Sequence, residues 1–230
     1  MGTITFGAMK EYAKFQLGNN TEFEAVGSSN TNFYGLWVNR AYNHLTTRDR
    51  FFGVRRDFYF PQLEISSTAN TVDGTAYVSV PTDCLIIREV YDTTSNRKLV
   101  NIPHSEYVGY TSRTDTAAEG QPTSWVRQGT YIYLYPTPDA TYALRIYYRK
   151  IPVVLSVDGA VTEIGDEWDD VIVQLAVYYG KFWTGDYEGA KMAREDVNDR
   201  IASLISIYGK EKRAMSKYYH LDETYNDYSY

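Results

Sequence analysis

Hydrophobic positions recur along this chain with two periods, and the change of period separates helical ends from a β-like middle. Met9, Ala13 and Leu17 lie four apart, which predicts a short helix from Phe6 to Leu17, capped by Thr5 and ended by Gly18-Asn19-Asn20. After a polar loop from Thr21 to Ser29, Phe33, Trp37, Ala41 and Leu45 repeat at four, with Tyr34, Val38 and Tyr42 beside them. That stripe predicts a second helix, capped by Asn30 or Thr31 and packed on two sides. Arg48-Asp49-Arg50 lies near its end, where the helix dipole favours cations.

From Phe51 to Leu155 the period is mostly two. Arg55 to Phe60 reads as a strand closed by Pro61, Ala76 to Val80 as one stopped by Pro81, and Leu85 to Asp92 as a third. A turn to Asn96 precedes a return through Lys98-Leu99-Val100, and Asn101 to Tyr110 holds a short helical turn. Ser112 to Thr123 reads as a mobile loop. Trp125 to Ile132 reads as a strand, a Gln-Gly-Thr turn and the next strand. Tyr131 to Leu155 looks like the organising stretch. Tyr131 to Tyr135 alternates aromatic and aliphatic side chains, Pro136 to Ala140 has turn chemistry, and Ala143 to Arg149 returns as the partner strand before Pro152. The expected product is a small antiparallel sheet or a sandwich.

Beyond Pro152 the period returns to about 3.6. Asp166 is the expected cap of a helix from Glu167 to Trp183, with Glu167, Asp169 and Asp170 in its first turn. Gly185-Asp186 breaks it. A last helix carries Ala190, Ala193, Val197, Ile201, Leu204, Ile205 and Tyr208 on one face and charged residues on the other, which predicts an antiparallel hairpin. Order is expected to end at Gly209. The segment after it reads as a flexible tail that orders on a partner, with Tyr218, Tyr219, Tyr225, Tyr228 and Tyr230 as the contacts.

Composition narrows the function. The 230 residues carry a net charge of −6, which argues against generic phosphate binding. The single cysteine, Cys84, rules out an internal disulfide framework and reads as a buried core thiol rather than a nucleophile. No apolar run suits a membrane span, and the N-terminus has neither a signal-peptide nor a myristoylation pattern. The 23 tyrosines exceed what a core needs and point to contact surface. His44, His104 and His220 have no metal-site spacing, and no nucleotide-binding loop or nucleophile elbow occurs. No catalytic residue, cofactor or metal is expected. Asp166, Glu167, Asp169 and Asp170 admit a glycosidase reading, but capping and dipole complementarity explain them more simply. Arg145 to Lys150 interleaves tyrosine with basic residues, as a base-stacking strand would, yet also fits a strand with one core face and one face toward solvent or a neighbouring subunit. Tyr147, Arg149 and Trp183 are the candidate subunit-interface residues.

The order of elements carries a resemblance. A strand ending at Pro81 before Asp83, Pro-x-x-Trp at Pro122 to Trp125, Tyr-Pro-Thr-Pro-Asp at Tyr135 to Asp139, Tyr-Tyr-Arg-Lys-Ile-Pro at Tyr147 to Pro152 and a closing helix with Ala190 and Ala193 together resemble the head-to-tail adaptor (head-completion, neck or connector) proteins of tailed bacteriophages, over about residues 75 to 208. Cys84 departs from the aromatic or large aliphatic residue common there, and the tyrosine-rich tail is not a family hallmark. The resemblance implies an α+β fold: a helical bundle in which N-terminal helices (1–50) pack on a C-terminal helical hairpin (156–209), with an inserted antiparallel β domain (51–155); residues 210–230 are the tail already read from the sequence. It also implies a homo-oligomeric ring, usually a dodecamer, bound to the portal protein and to tail or further neck proteins, with genomic DNA passing through non-specifically and no membrane involved. Such a protein would reside in the virion neck, and in host cytoplasm during assembly. A carbohydrate-binding or receptor-contacting virion protein is the alternative.

Overall fold

The computed structural model describes residues 4–24, 32–47, 50–52, 54–55, 60–112 and 118–216. The chain forms two compact units, Met1–Phe58 with Val154–Tyr230, and Tyr59–Val153. The class is α+β.

In the first unit, helix α1 spans Phe6–Gln16, and Thr5 caps it by accepting a 3.3 Å hydrogen bond from the Ala8 N–H. Gly18 and Asn19, both at positive φ, turn the chain out of the helix as expected. Helix α2 spans Phe33–Thr47 and buries Tyr34, Trp37, Val38, Ala41, Tyr42 and Leu45. This wide stripe packs on both α1 and the later helix α4 (Asp169–Thr184). Its cap is Asn32, whose Oδ1 accepts from the Gly35 N–H at 3.1 Å; the two residues expected to cap it, Asn30 and Thr31, lie outside the described residues. Strands β1 (Arg50–Phe51) and β2 (Val54–Arg55) form a minimal antiparallel ladder. Most of the strand predicted from Arg55 to Phe60 falls outside the described residues.

The second unit holds strands β3 (Glu64–Asn70), β4 (Tyr77–Ser79), β5 (Cys84–Asp92), β6 (Arg97–Lys98), β7 (Val100–Asn101), β8 (Ser124–Gln128), β9 (Tyr131–Tyr135) and β10 (Ala143–Lys150), with helix α3 (His104–Thr111) before β8. They make two four-stranded sheets, in the orders β3-β10-β5-β6 and β4-β9-β8-β7. Their facing sides share one core that includes Val78, Val90, Leu99, Trp125, Ile132, Leu134, Leu144, Ile146 and Tyr148. A sandwich was one expected outcome.

The pairing differs from the sequence reading in three places. First, β9 and β10 are not partners: β9 pairs with β4 and β8, and β10 with β3 and β5. Each strand buries its aliphatic face, so the two oppose each other across the core instead of lying side by side. The connecting residues are held elsewhere. Gly74 N–H donates to Pro138 O at 2.8 Å, Gly120 N–H to Thr137 O at 2.8 Å, and the Thr71 hydroxyl to Ala140 O at 2.8 Å. Second, the return through Leu99 is split between the sheets. Leu99 N–H donates to Val90 O in one sheet, whereas Val100 N–H donates to Thr123 O beside the other. Third, β7 therefore enters parallel to β8, and the β unit is mixed rather than purely antiparallel. The loop expected to be mobile is also pinned at its end, where Glu119 bridges Thr137 and Gln121 reaches Asp92.

The chain then returns to the first unit. Asp166 does not cap the next helix. Gly165 leads into a 3-10 turn over Asp166–Trp168, and α4 follows directly. The break at Gly185 has φ 81°, and Asp186 N–H closes on Lys181 O at 3.0 Å. Helix α5 spans Tyr187–Ser216. Gly209 does not end it, because a single glycine costs a helix only about 1 kcal/mol. Arg200 of α5 reaches back to Asp170 in the first turn of α4 at 3.4 Å, so the two helices form the antiparallel hairpin predicted. Val171, Ile172, Leu175 and Ala176 of α4 are buried, as are Ala190, Ala193, Val197 and Ile201 of α5. Leu204, expected in the same stripe, is only half-buried.

Candidate interface surfaces

The carboxylates that admitted a catalytic reading do not act together. Asp169 is fully buried and accepts hydrogen bonds from the Thr162 hydroxyl at 2.9 Å and the Ile4 N–H at 3.1 Å. Burial pushes its carboxyl above the usual range, against the pull of those two bonds. Asp166 and Glu167 are exposed, and Asp170 pairs with Arg200. Asp169 ties the N-terminal segment to α4, and Asp170 ties α4 to α5. The sequence placed Asp169 in a first helical turn for its dipole, whereas the Thr162 hydroxyl and the Ile4 amide make it a buried structural group.

Cys84 is buried, as expected, and burial pushes its thiol up despite the nearby Arg127 guanidinium. That suits a packing residue and not an activated nucleophile. His44 meets the Tyr179 hydroxyl, with the Arg40 guanidinium 4.6 Å over the Tyr179 ring. Among the described residues, no group of three or more His, Cys, Asp or Glu side chains is placed to hold a metal.

What the structure does assemble is aromatic surface. On the helical unit, Phe182, Trp183 and Tyr187 surround the Gly185 turn, 55, 65 and 67 % exposed. Phe182 contacts Tyr178 and Tyr187 edge-on or tilted, and Trp183 leans on Phe33 with ring centres 6.1 Å apart. Phe33 continues inward to Trp37 and Phe23. Trp183 of this exposed rim is thus backed by half-buried Phe33 and, behind it, buried Trp37, which lowers the entropic cost of any contact it makes.

On the β unit, Tyr147 stands on the outer face of β10 with its ring 5.7 Å from Tyr91. Arg149, the neighbouring interface candidate, is largely covered: its Nε donates to Glu64 Oε1 at 3.0 Å. Arg88 reaches the same carboxylate at 3.1 Å. Register explains the convergence. Tyr147 opposes Glu89 and Tyr148 opposes Ile87, so Arg88 is the extra residue of a bulge that turns it toward Glu64. The outer face of the other sheet is paved by tyrosines. Tyr107 and Tyr110 of α3 lie over Tyr133 and Tyr135, while Tyr77 and Tyr131 stay open beyond the helix. The pairs Tyr77–Tyr131 and Tyr110–Tyr135 join residues remote in sequence, so alternation could flag each tyrosine but not its partner. The sequence reading brought Tyr147, Arg149 and Trp183 forward and passed over Phe182 and Tyr187. The five tail tyrosines lie outside the described residues.

The chain is thus a two-unit α+β protein with exposed aromatic surface on both units. The family model described as SU10 adaptor protein matches residues 4–219, and the chain belongs to that family of phage head-to-tail adaptors. It is a structural adaptor of a phage particle. No curated protein matches the chain. No helix among the described residues is long and apolar enough to cross a membrane.

Proposed function

We propose that copies of this chain form a ring beneath the portal, joining capsid to tail and lining part of the DNA channel without catalysing a reaction. Family membership supports a place at the head–tail junction. The observation that carries the ring is the exposed aromatic rim Phe182-Trp183-Tyr187, which offers apolar area suited to a subunit contact. Tyr147 and Arg149 on the β unit and Trp183 on the helical unit serve as subunit contacts. Tyr218, Tyr219, Tyr225, Tyr228 and Tyr230 serve as contacts to the portal or another partner. The helical residues 1–50 and 156–209 make one functional domain, residues 51–155 the inserted one, and 210–230 the tail. A net charge of −6 suits a conduit that must not hold its DNA. The portal protein lies on one side of the ring and tail or further neck proteins on the other.

The test is the native mass of the purified chain, alone and mixed with portal rings. A ring in either condition is expected. A monomer in both would overturn the proposal and favour the glycan- or receptor-contacting alternative, for which the open pair Tyr77 and Tyr131 offers a stacking surface.

A further inference from the structure

The two sheets of the β unit differ in how their edges are closed. Strand β4 is an edge of only three residues, and Pro81 follows it closely, which blunts it as a template. Among the described residues, strand β3 is an edge of seven residues and pairs only with β10. It contains no proline, lysine or bulge, and among the described residues no other strand joins its second side. Its outward residues Ser66, Thr68 and Asn70 are small and polar. Natural edges of this length are ordinarily blunted or covered.

Beside this edge lies a groove of about 460 Å³ between β3 and β4. Ile146 lies in its lining, flanked by Ala69, Val78 and Val80, and no charged side chain lines it. An extended peptide here would continue the β3 sheet through its backbone and place alternate side chains over the groove.

The chain supplies a segment of matching chemistry. Residues 217–230 contain five tyrosines and neither glycine nor proline, and tyrosine favours strands. Fourteen residues are twice the length of β3. Asp222, Glu223 and Asp227 make the segment acidic. Next to β3 on the outer face stands Arg145, directly across from Thr68 and exposed. The segment also begins far along a helix. α5 has 30 residues and its hairpin partner α4 has 16, so α5 outruns α4 by fourteen residues, about 21 Å at 1.5 Å per residue.

We propose that residues 217–230 of one copy add as an extended strand to the open edge of β3 in a neighbouring copy, with tyrosines seated in the groove between β3 and β4. This rests on the ring reading above and names the partner of the tail tyrosines as a second copy of the chain, in place of the portal.

Two measurements on the full chain test it. In the first, two chains lacking the native thiol (Cys84→Ser) are made, one with Thr68→Cys and the other with Tyr225→Cys, Asn226→Cys or Asp227→Cys in turn. They are mixed and oxidised. A disulfide between the two chains is expected for at least one tail position, since it requires Cβ atoms about 4 Å apart. No disulfide between the two chains at any of the three tail positions overturns the proposal. In the second, amide hydrogen exchange along β3 is compared in the full chain and in one ending at Ser216. Loss of residues 217–230 is expected to speed exchange of the open-edge amides at least tenfold, with β10 and β5 unchanged. Equal exchange in both overturns the proposal. Should the ring still form by mass in that case, only the strand addition has failed. A monomer with and without portal would remove the ring reading itself.

Discussion

Gln121 Nε2 donates a 2.6 Å hydrogen bond to Oδ2 of Asp92, tying the end of β5 in one sheet to the approach of β8 in the other. Asp92 is fully buried and also accepts from Thr94 N–H at 2.8 Å and from the hydroxyl and N–H of Ser95. Burial pushes its carboxyl up, but these four bonds outweigh that and hold it below its ordinary 3.8. A carboxyl lowered in the folded state adds stability above its unfolded pKa and loses it as pH falls through the folded value. Asp92→Ala is expected to cost about 1–3 kcal/mol in urea unfolding at pH 7, because Gln121 and the turn amides lose their acceptor. The gap from wild type should narrow as pH drops below 3.8. A gap constant with pH would contradict the assignment.

Asp169 has the opposite sign. Its folded pKa is raised, so its contribution is full below its unfolded pKa and is lost as pH rises through the folded value. Thermal unfolding of wild type and Asp169→Asn, followed from pH 7 to pH 4, should show wild type gaining on the variant as pH falls. Parallel curves would mean that Asp169 is charged at no cost.

The helical hairpin is packed unevenly along α5. Ile201 is fully buried and Leu204 only half so. Ile201→Ala is expected to cost about 2–5 kcal/mol, and Leu204→Ala about 1 kcal/mol. Denaturant unfolding separates them, and equal losses would show tight packing beyond Ile201.

Trp183 tests the interface. Its ring is mostly exposed and leans on Phe33, so Trp183→Ala should cost the isolated subunit only about 0.5–1.5 kcal/mol. Subunit association, read by sedimentation, should weaken at least tenfold. Unchanged association would remove the aromatic rim from the interface.

Much of this protein follows from short-range pattern. The helical period placed α1, α2, α4 and α5, and Thr5, Gly18 and Gly185 marked their ends, because capping and left-handed turns depend on neighbours along the chain. Alternation placed β4, β5, β8, β9 and β10 for the same reason. Strand partnership is a long-range property. Tyr131–Tyr135 and Ala143–Lys150 look like a hairpin, and only competition for the core, with Thr71, Gly74 and Gly120 holding the connection, decides that they face each other across a sandwich. Asp169 followed the same logic. Its position among acidic neighbours read as helix-dipole chemistry, while Thr162 and the Ile4 amide, the latter 165 positions away, made it a buried structural group. Tyrosine abundance was legible as contact surface, but not which tyrosines α3 would cover and which would stay open. Sequence determined where the elements lie; tertiary structure decided what each one faces, because burial is shared among residues that no local period connects.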